Sequence, residues 1–142
     1  MSKLIFVNLP VRDLQKSIAF YEAVGAVRND DFADETAQMI SFSDTIHAML
    51  MTHEKFSSFT SRAICDARNA VQVLLTLSED SRAAVDATTE RALAAGGIEP
   101  SPIDDYGFMY GRSFEDPDGH QWGVMWMDAA AAKKAGTEPA GA

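Results

Sequence analysis

The chain of 142 residues repeats itself, and the repeat limits what it can fold into. LPVRDL (9–14) has a counterpart in LTLSED (75–80), and SFSD (41–44) has one in SFED (113–116), 72 positions on. Gly25 lies over Gly97 at that same offset. With one residue of turn gapped, His47 falls on His120 and Leu50 on Gly123. A half of this size cannot bury a sheet by itself, so two halves have to share a core.

Each copy reads as strand, helix and three strands. KLIFVNLPV is the first strand, and Asp13 caps a helix over LQKSIAFYEAVG with Ile18 and Tyr21 on its apolar face and Gly25 at its end. AVRNDDFA, TAQMISFS and IHAMLMTH follow as strands broken by turn residues. Residues 54–68 interrupt the rhythm as a linker with a helical turn. AVQVLLTLS then opens the second copy, EDSRAAVDATTERALAAGG is its helix, IEPSPIDD holds a short strand and a loop that carries Asp104 and Asp105, and FMYGRSFED and HQWGVMWMD supply further strands. The expected class is α+β: two βαβββ modules, about 1–56 and 69–128 with a linker about 57–68, forming a curved half-open barrel with a central cleft. The segment 129–142, small and polar, reads as a flexible tail.

With 12 basic against 21 acidic residues the formal charge is −9, which repels phosphate backbones and anionic lipid and argues against nucleic-acid or membrane partners. No stretch approaches the roughly 18 apolar residues of a membrane span. One cysteine, Cys65, rules out an internal disulfide and fits a reducing compartment, so a cytoplasmic protein is expected.

NLPVRDLQKSIAFYEAVGA with a distant SFEDPDGHQWGVMW resembles the vicinal oxygen chelate superfamily, which includes glyoxalase I, extradiol dioxygenases and fosfomycin- and bleomycin-resistance proteins. The resemblance spans residues 1–128 and implies paired βαβββ modules, often in a homodimer. It also implies metal ligands on the first and last strand of each module. In the family the first-strand ligand lies seven residues before the Asp of the DL motif, which here is Phe6, with Asn8 one pleat further along and Gln72 its equivalent in the second module. The last-strand ligand, commonly Glu, lies four residues after the Gly of DPDG. Here that position is Gly123, with Leu50 matching it in the first module. One amide and no carboxylate leave a divalent ion's charge uncompensated, so neither a metal nor any other cofactor is expected.

Counting by twos along the strands adds Gln121, Met109 and Ser113 to the interior. The expected cleft is apolar, with Asn8, Gln72 and Gln121 orienting a small molecule. It holds no side chain suited to acid–base work near neutral pH. His47 and His120 read as turn-bonding rim residues off the cleft face, and Trp122 faces the helices. Arg112 faces away from the cleft toward a helix acid such as Glu90, while Asp116, Pro117, Asp118 and Gly119 build a turn. Two functions stay open: a metal-independent binding protein of the bleomycin-resistance type, favoured by the missing ligands, and a glyoxalase- or dioxygenase-like enzyme with a relocated metal.

Overall fold

The computed structural model describes residues 2–136. The chain divides into two compact units, Met1–Val71 with Asp116–His120, and Gln72–Glu115 with the residues from Gln121 onward.

In the first unit β1 (Ile5–Val11), α1 (Leu14–Val24), β2 (Val27–Ala33), β3 (Ala37–Ser41) and β4 (Ile46–Thr52) form a sheet of order β1-β4-β3-β2, β1 parallel to β4 and the rest antiparallel. The helix starts where expected: the Asp13 carboxylate accepts the Lys16 N–H, satisfying one of the donors a first turn leaves free. It stops at Gly25, whose φ of 118° no β-carbon-bearing residue adopts cheaply, with the Ala26 N–H closing back onto the Tyr21 carbonyl. Ile18, Tyr21 and Val24 bury themselves against the sheet, where Leu9, Ile40, Ala48 and Leu50 meet them. A short helix α2 (His53–Ser57), capped by Thr52, follows β4 where the linker was expected to hold a helical turn.

In the second unit β5 (Leu75–Ser78), α3 (Arg82–Ala94), β6 (Asp104–Asp105), β7 (Met109–Glu115) and β8 (Gln121–Met127) repeat the order as β5-β8-β7-β6. Val85, Thr89 and Ala92 of α3 are buried, as are Phe114, Trp122 and Val124 of the sheet. The α+β class and the two βαβββ modules thus stand. Among the described residues no helix is long and apolar enough to cross a membrane.

Three expectations change. β5 starts at Leu75, not Ala70, because its parallel partner β8 begins only at Gln121 and residues further back have no strand to pair with. Residues 129–136, read as tail, form a helix α4 (Ala129–Gly136): an alanine run has high helix propensity, and Asp128 accepts the Ala130 and Ala131 N–H groups at its start. The rest of that segment, 137–142, lies outside the described residues. Finally, the conformational counterpart of Gly25 is Gly96 (φ 101°), with Gly97 closing onto Ala92 as Ala26 does onto Tyr21.

The DPDG turn forms as its residues dictate. Asp116 is 5% exposed and its carboxylate accepts from the Asp118 and His120 N–H groups and, at 2.5 Å, from the Tyr21 hydroxyl. Gly119 has φ 92°, and a β-carbon there would lie 3.0 Å from the Arg68 backbone nitrogen, so this glycine is required twice over.

Burial raises the Asp116 carboxyl above its ordinary range, against the opposing pull of His120 and Tyr21. A raised folded value means that its contribution to stability is complete below the ordinary pKa of 3.8 and declines as pH rises through the folded one. Tyr21→Phe removes a donor to a buried carboxylate, so we expect a loss of about 1.5–3 kcal/mol at pH 7 and a smaller loss at pH 4. Urea denaturation at both values checks this; equal losses would refute it.

Candidate functional site

In each unit the helix covers one face of the sheet, and alternation assigns the other face. In the first unit the face away from α1 carries Phe6, Asn8 and Pro10 of β1 opposite His47, Met49 and Met51 of β4. Leu50 is not among them. It pairs with Leu9 and Gln38 on the helix side and is wholly buried, which corrects its assignment to the cleft. The two hairpin turns explain the error. Phe42 N–H bonds the Ile46 carbonyl as Asp116 N–H bonds the His120 carbonyl, so equivalent residues of the two hairpins are 74 positions apart (116 − 42), not the 73 that one gapped residue adds to the repeat. That one-residue difference reverses the face of a whole strand. The counterpart of Gly123 is Met49, and both belong to rows of matching register, Asn8–Met49 and Thr76–Gly123.

A separate correction, set by the helix cap, moves Gln72. It precedes β5, is exposed, and lies outside the sheet. The helix of the second unit is capped by Ser81, whose hydroxyl accepts the Ala84 N–H, as Asp13 caps the first. Seven residues before Asp13 is Phe6, and seven before Ser81 is Leu74. The positions at which the resemblance implies metal ligands are therefore Phe6, Met49, Leu74 and Gly123. None offers a hard oxygen or an imidazole, so the residues present do not fit the family's divalent ion. Among the described residues, no three His, Cys, Asp or Glu side chains gather where they could hold a metal ion.

His47, expected off this face, lies on it beneath Phe6, ring centroids 5.1 Å apart. Its Nε2 bonds the Asp44 carbonyl and must carry the proton, so the Ser41 hydroxyl donates to Nδ1 at 2.7 Å. The bond to Asp44 is the turn-bonding role expected of His47, whereas the His120 Nε2 donates to the carbonyl of Pro10 in β1 at 2.8 Å and not to a turn.

The second unit holds a cavity of about 300 Å³ on the sheet face away from α3. Four of the sequence-predicted residues, Met109, Ser113, Gln121 and Gly123, line it; Phe6 and Asn8 belong to the first unit. Leu74, Thr76 and Met125 join them. The floor is open at Gly111, where a β-carbon would touch only the Val124 carbonyl at 3.7 Å and the Met109 methyl at 3.9 Å. At Gly123 it is closed: Thr76 Oγ1 would lie 2.9 Å from a β-carbon. Gln121 donates to Glu115 at 3.4 Å. Ser113 offers a guest no polar anchor, since its Oγ is shut from solvent and has no hydrogen-bond partner among the described residues.

Reading residues by strand parity finds these side chains but not Asp104. Asp104 pairs with Gly111, so it faces the cavity, while Asp105 pairs with Tyr110 on the other side. Arg82 grips Asp105 through two 2.8 Å bonds, donates to the Gly107 carbonyl, and stacks over Tyr110 and Trp126. That grip and the Gly107 N–H lower the Asp105 carboxyl to about 2. Arg112 pairs with Val124 in the helix-side register, and its guanidinium is 8% exposed and bound to Asp86, Glu90 and Glu99. The Glu90 partner was expected; the other two were not, because the topology that brings them there is not visible in linear order.

A family model, Glyoxalase/Bleomycin resistance protein/Dioxygenase superfamily, matches residues 3–124. Among solved structures, hypothetical protein SA1046 from S. aureus is 25% identical with a TM-score of 0.76, covering 89% of this chain and 95% of that one. Fosfomycin resistance protein FosX from Mesorhizobium loti is 16% identical (TM-score 0.68; 94% and 98% covered). Lactoylglutathione lyase from Agrobacterium tumefaciens is 18% identical (TM-score 0.65; 91% and 96% covered). At those identities the last two share the fold. Among curated proteins, none matches the chain.

Two outcomes test this geometry. Ser113→Ala removes a buried hydroxyl that nothing satisfies, and is expected to be neutral or to stabilise by up to about 1 kcal/mol in urea; a loss above that would reveal a partner. In an NMR acid titration the Asp105 carboxyl should ionise near 2 and return toward 3.8 in Arg82→Ala. Because its folded value is depressed, its contribution to stability is present above 3.8 and lost as pH falls through about 2.

Proposed function

The chain belongs to the glyoxalase/bleomycin resistance protein/dioxygenase superfamily, and we propose that within it this member binds a small, partly apolar molecule without the family's divalent metal. The observation that carries this reading is the set Phe6, Met49, Leu74 and Gly123 at the positions where the resemblance implies ligands. A Lewis acid polarises a substrate only when the protein supplies the charge and geometry to hold it. A phenylalanine, a leucine, a methionine and a glycine cannot do so.

What the chain offers instead is a shaped surface. The cavity of the second unit is at the small end of ligand sites, and its exposed lining is mostly apolar, with Met109, Met125 and Leu74 among the side chains that form it. Methionine suits such a role because its flexible, polarisable side chain adapts to different apolar shapes. Thr76 and Gln121 provide the few polar groups that orient a guest. No imidazole lines the cavity, so general acid–base catalysis near neutral pH has no group suited to it there.

Metal analysis of the purified protein should find no stoichiometric Ni, Zn, Mn or Fe, and EDTA should leave the melting temperature unchanged. Stoichiometric metal whose removal lowers the melting temperature would overturn the proposal. For the cavity, 2-naphthylmethanol serves as a neutral planar probe. It should shift the amide resonances of Gly111, Thr76 and Gly123, and Gly111→Leu, which fills open space on the floor, should abolish those shifts.

A further inference from the structure

We infer that the cavity of the second unit prefers a planar guest carrying a positive charge, with Asp104 as its counter-ion; this rests on the binding function proposed above. The geometry lies in one cross-strand row. Asp104 of β6 is directly opposite Gly111 of β7, and Gly111 is directly opposite Met125 of β8. Residues directly opposite on neighbouring strands point to the same face. The row therefore runs carboxylate, gap, thioether, and the gap is the open floor at Gly111. Two strand spacings separate its ends, about 9.5 Å, which accommodates one aromatic ring system lying against the bare backbone. The Met109 methyl borders the same gap, so a ring there meets sulfur-bearing side chains at its edges.

Charge decides the rest. Asp104 lines the cavity and has no ion pair among the described residues, whereas its neighbour Asp105 is taken by Arg82. Arg112 borders the cavity only through its strand position, because its guanidinium is held on the helix side by Asp86, Glu90 and Glu99. No lysine or histidine lines the cavity. An anionic guest would find no counter-charge and a carboxylate at the rim. An ammonium on a ring seated over Gly111 finds Asp104 one strand away.

The grip of Arg82 on Asp105 makes this a positioned carboxylate and not a wandering one. β6 is two residues long, and fixing Asp105 to the helix side commits Asp104 to the opposite face.

The test uses three probes of one shape: 2-naphthylmethylamine, 2-naphthylmethanol and 2-naphthoate, titrated at pH 7 and low salt with the Gly111, Thr76 and Gly123 amides as readout. The amine should bind about threefold to fivefold more tightly than the alcohol, the range an exposed ion pair supplies, and the carboxylate should bind most weakly. Asp104→Asn should bring amine and alcohol within about twofold. Asp31→Asn, which changes net charge equally but lies on β2 in the first unit, should leave the preference intact. Alcohol binding equal to the amine, or a preference that survives Asp104→Asn, would overturn this inference and leave the neutral binding function standing. If none of the three probes shifts the cavity amides, the binding function fails and this inference fails with it.

Discussion

Strand alternation, pinned in each unit by one helix, is the constraint on which the rest depends. A helix that buries Ile18, Tyr21 and Val24, or Val85, Thr89 and Ala92, commits every second strand residue to its own side. The remaining residues then form the opposite face with no further choice available to them. In the first unit this sends Leu50 inward and Met49 outward; in the second it sends Arg112 and Trp122 to the helix and Gly111, Ser113 and Gly123 to the cavity. The chemistry open to the protein is settled by that sorting, because it decides which side chains a guest can meet.

The caps make the sorting legible. Asp13 and Ser81 each accept an N–H from the first helical turn, so each marks where a strand has ended and a helix begun. Counting back the same distance from each cap reaches Phe6, in the first parallel ladder, and Leu74, the residue just before the second one begins. The repeat in linear order was enough to see two βαβββ modules. It was not enough to set them in register, because laying LPVRDL over LTLSED puts Asp13 on Glu79, two residues ahead of the serine that does the capping. Gln72 follows from that misplaced origin, and Leu50 from an offset one residue short of what the hydrogen bonds of the two hairpins set. The first slip, two residues, carries its position out of the sheet; the second, one residue, exchanges the faces of a strand.

Other features were readable because their physics is local. The Pro-Asp-Gly run and its flanking aspartates specify a turn from their own backbone preferences, and the turn formed. The Arg112–Glu90 pair followed from alternation and the acidic face of the helix. Features set by longer connections were not readable. Asp104 acquires its place only because β6 pairs with β7, a two-residue contact that no hydrophobic pattern announces. The unpartnered Ser113 hydroxyl is likewise a matter of what surrounds it, not of what it is.

Two carboxylates show how differently the fold spends the same group. Asp116 is buried, serves the backbone of a turn and one phenol, and is pushed upward by the loss of water. Asp105 is exposed, answers an arginine, and is pulled down to about 2. Neither is free to act on a guest, since every strong interaction each can make is already taken. The acid that faces the cavity without an ion pair among the described residues is Asp104, because Arg82 and Arg112 are both occupied elsewhere. In an acidic chain, cations consumed by structural pairs leave a cavity whose remaining charge is negative. The selectivity of such a site then follows from where the arginines are bound as much as from what lines the wall.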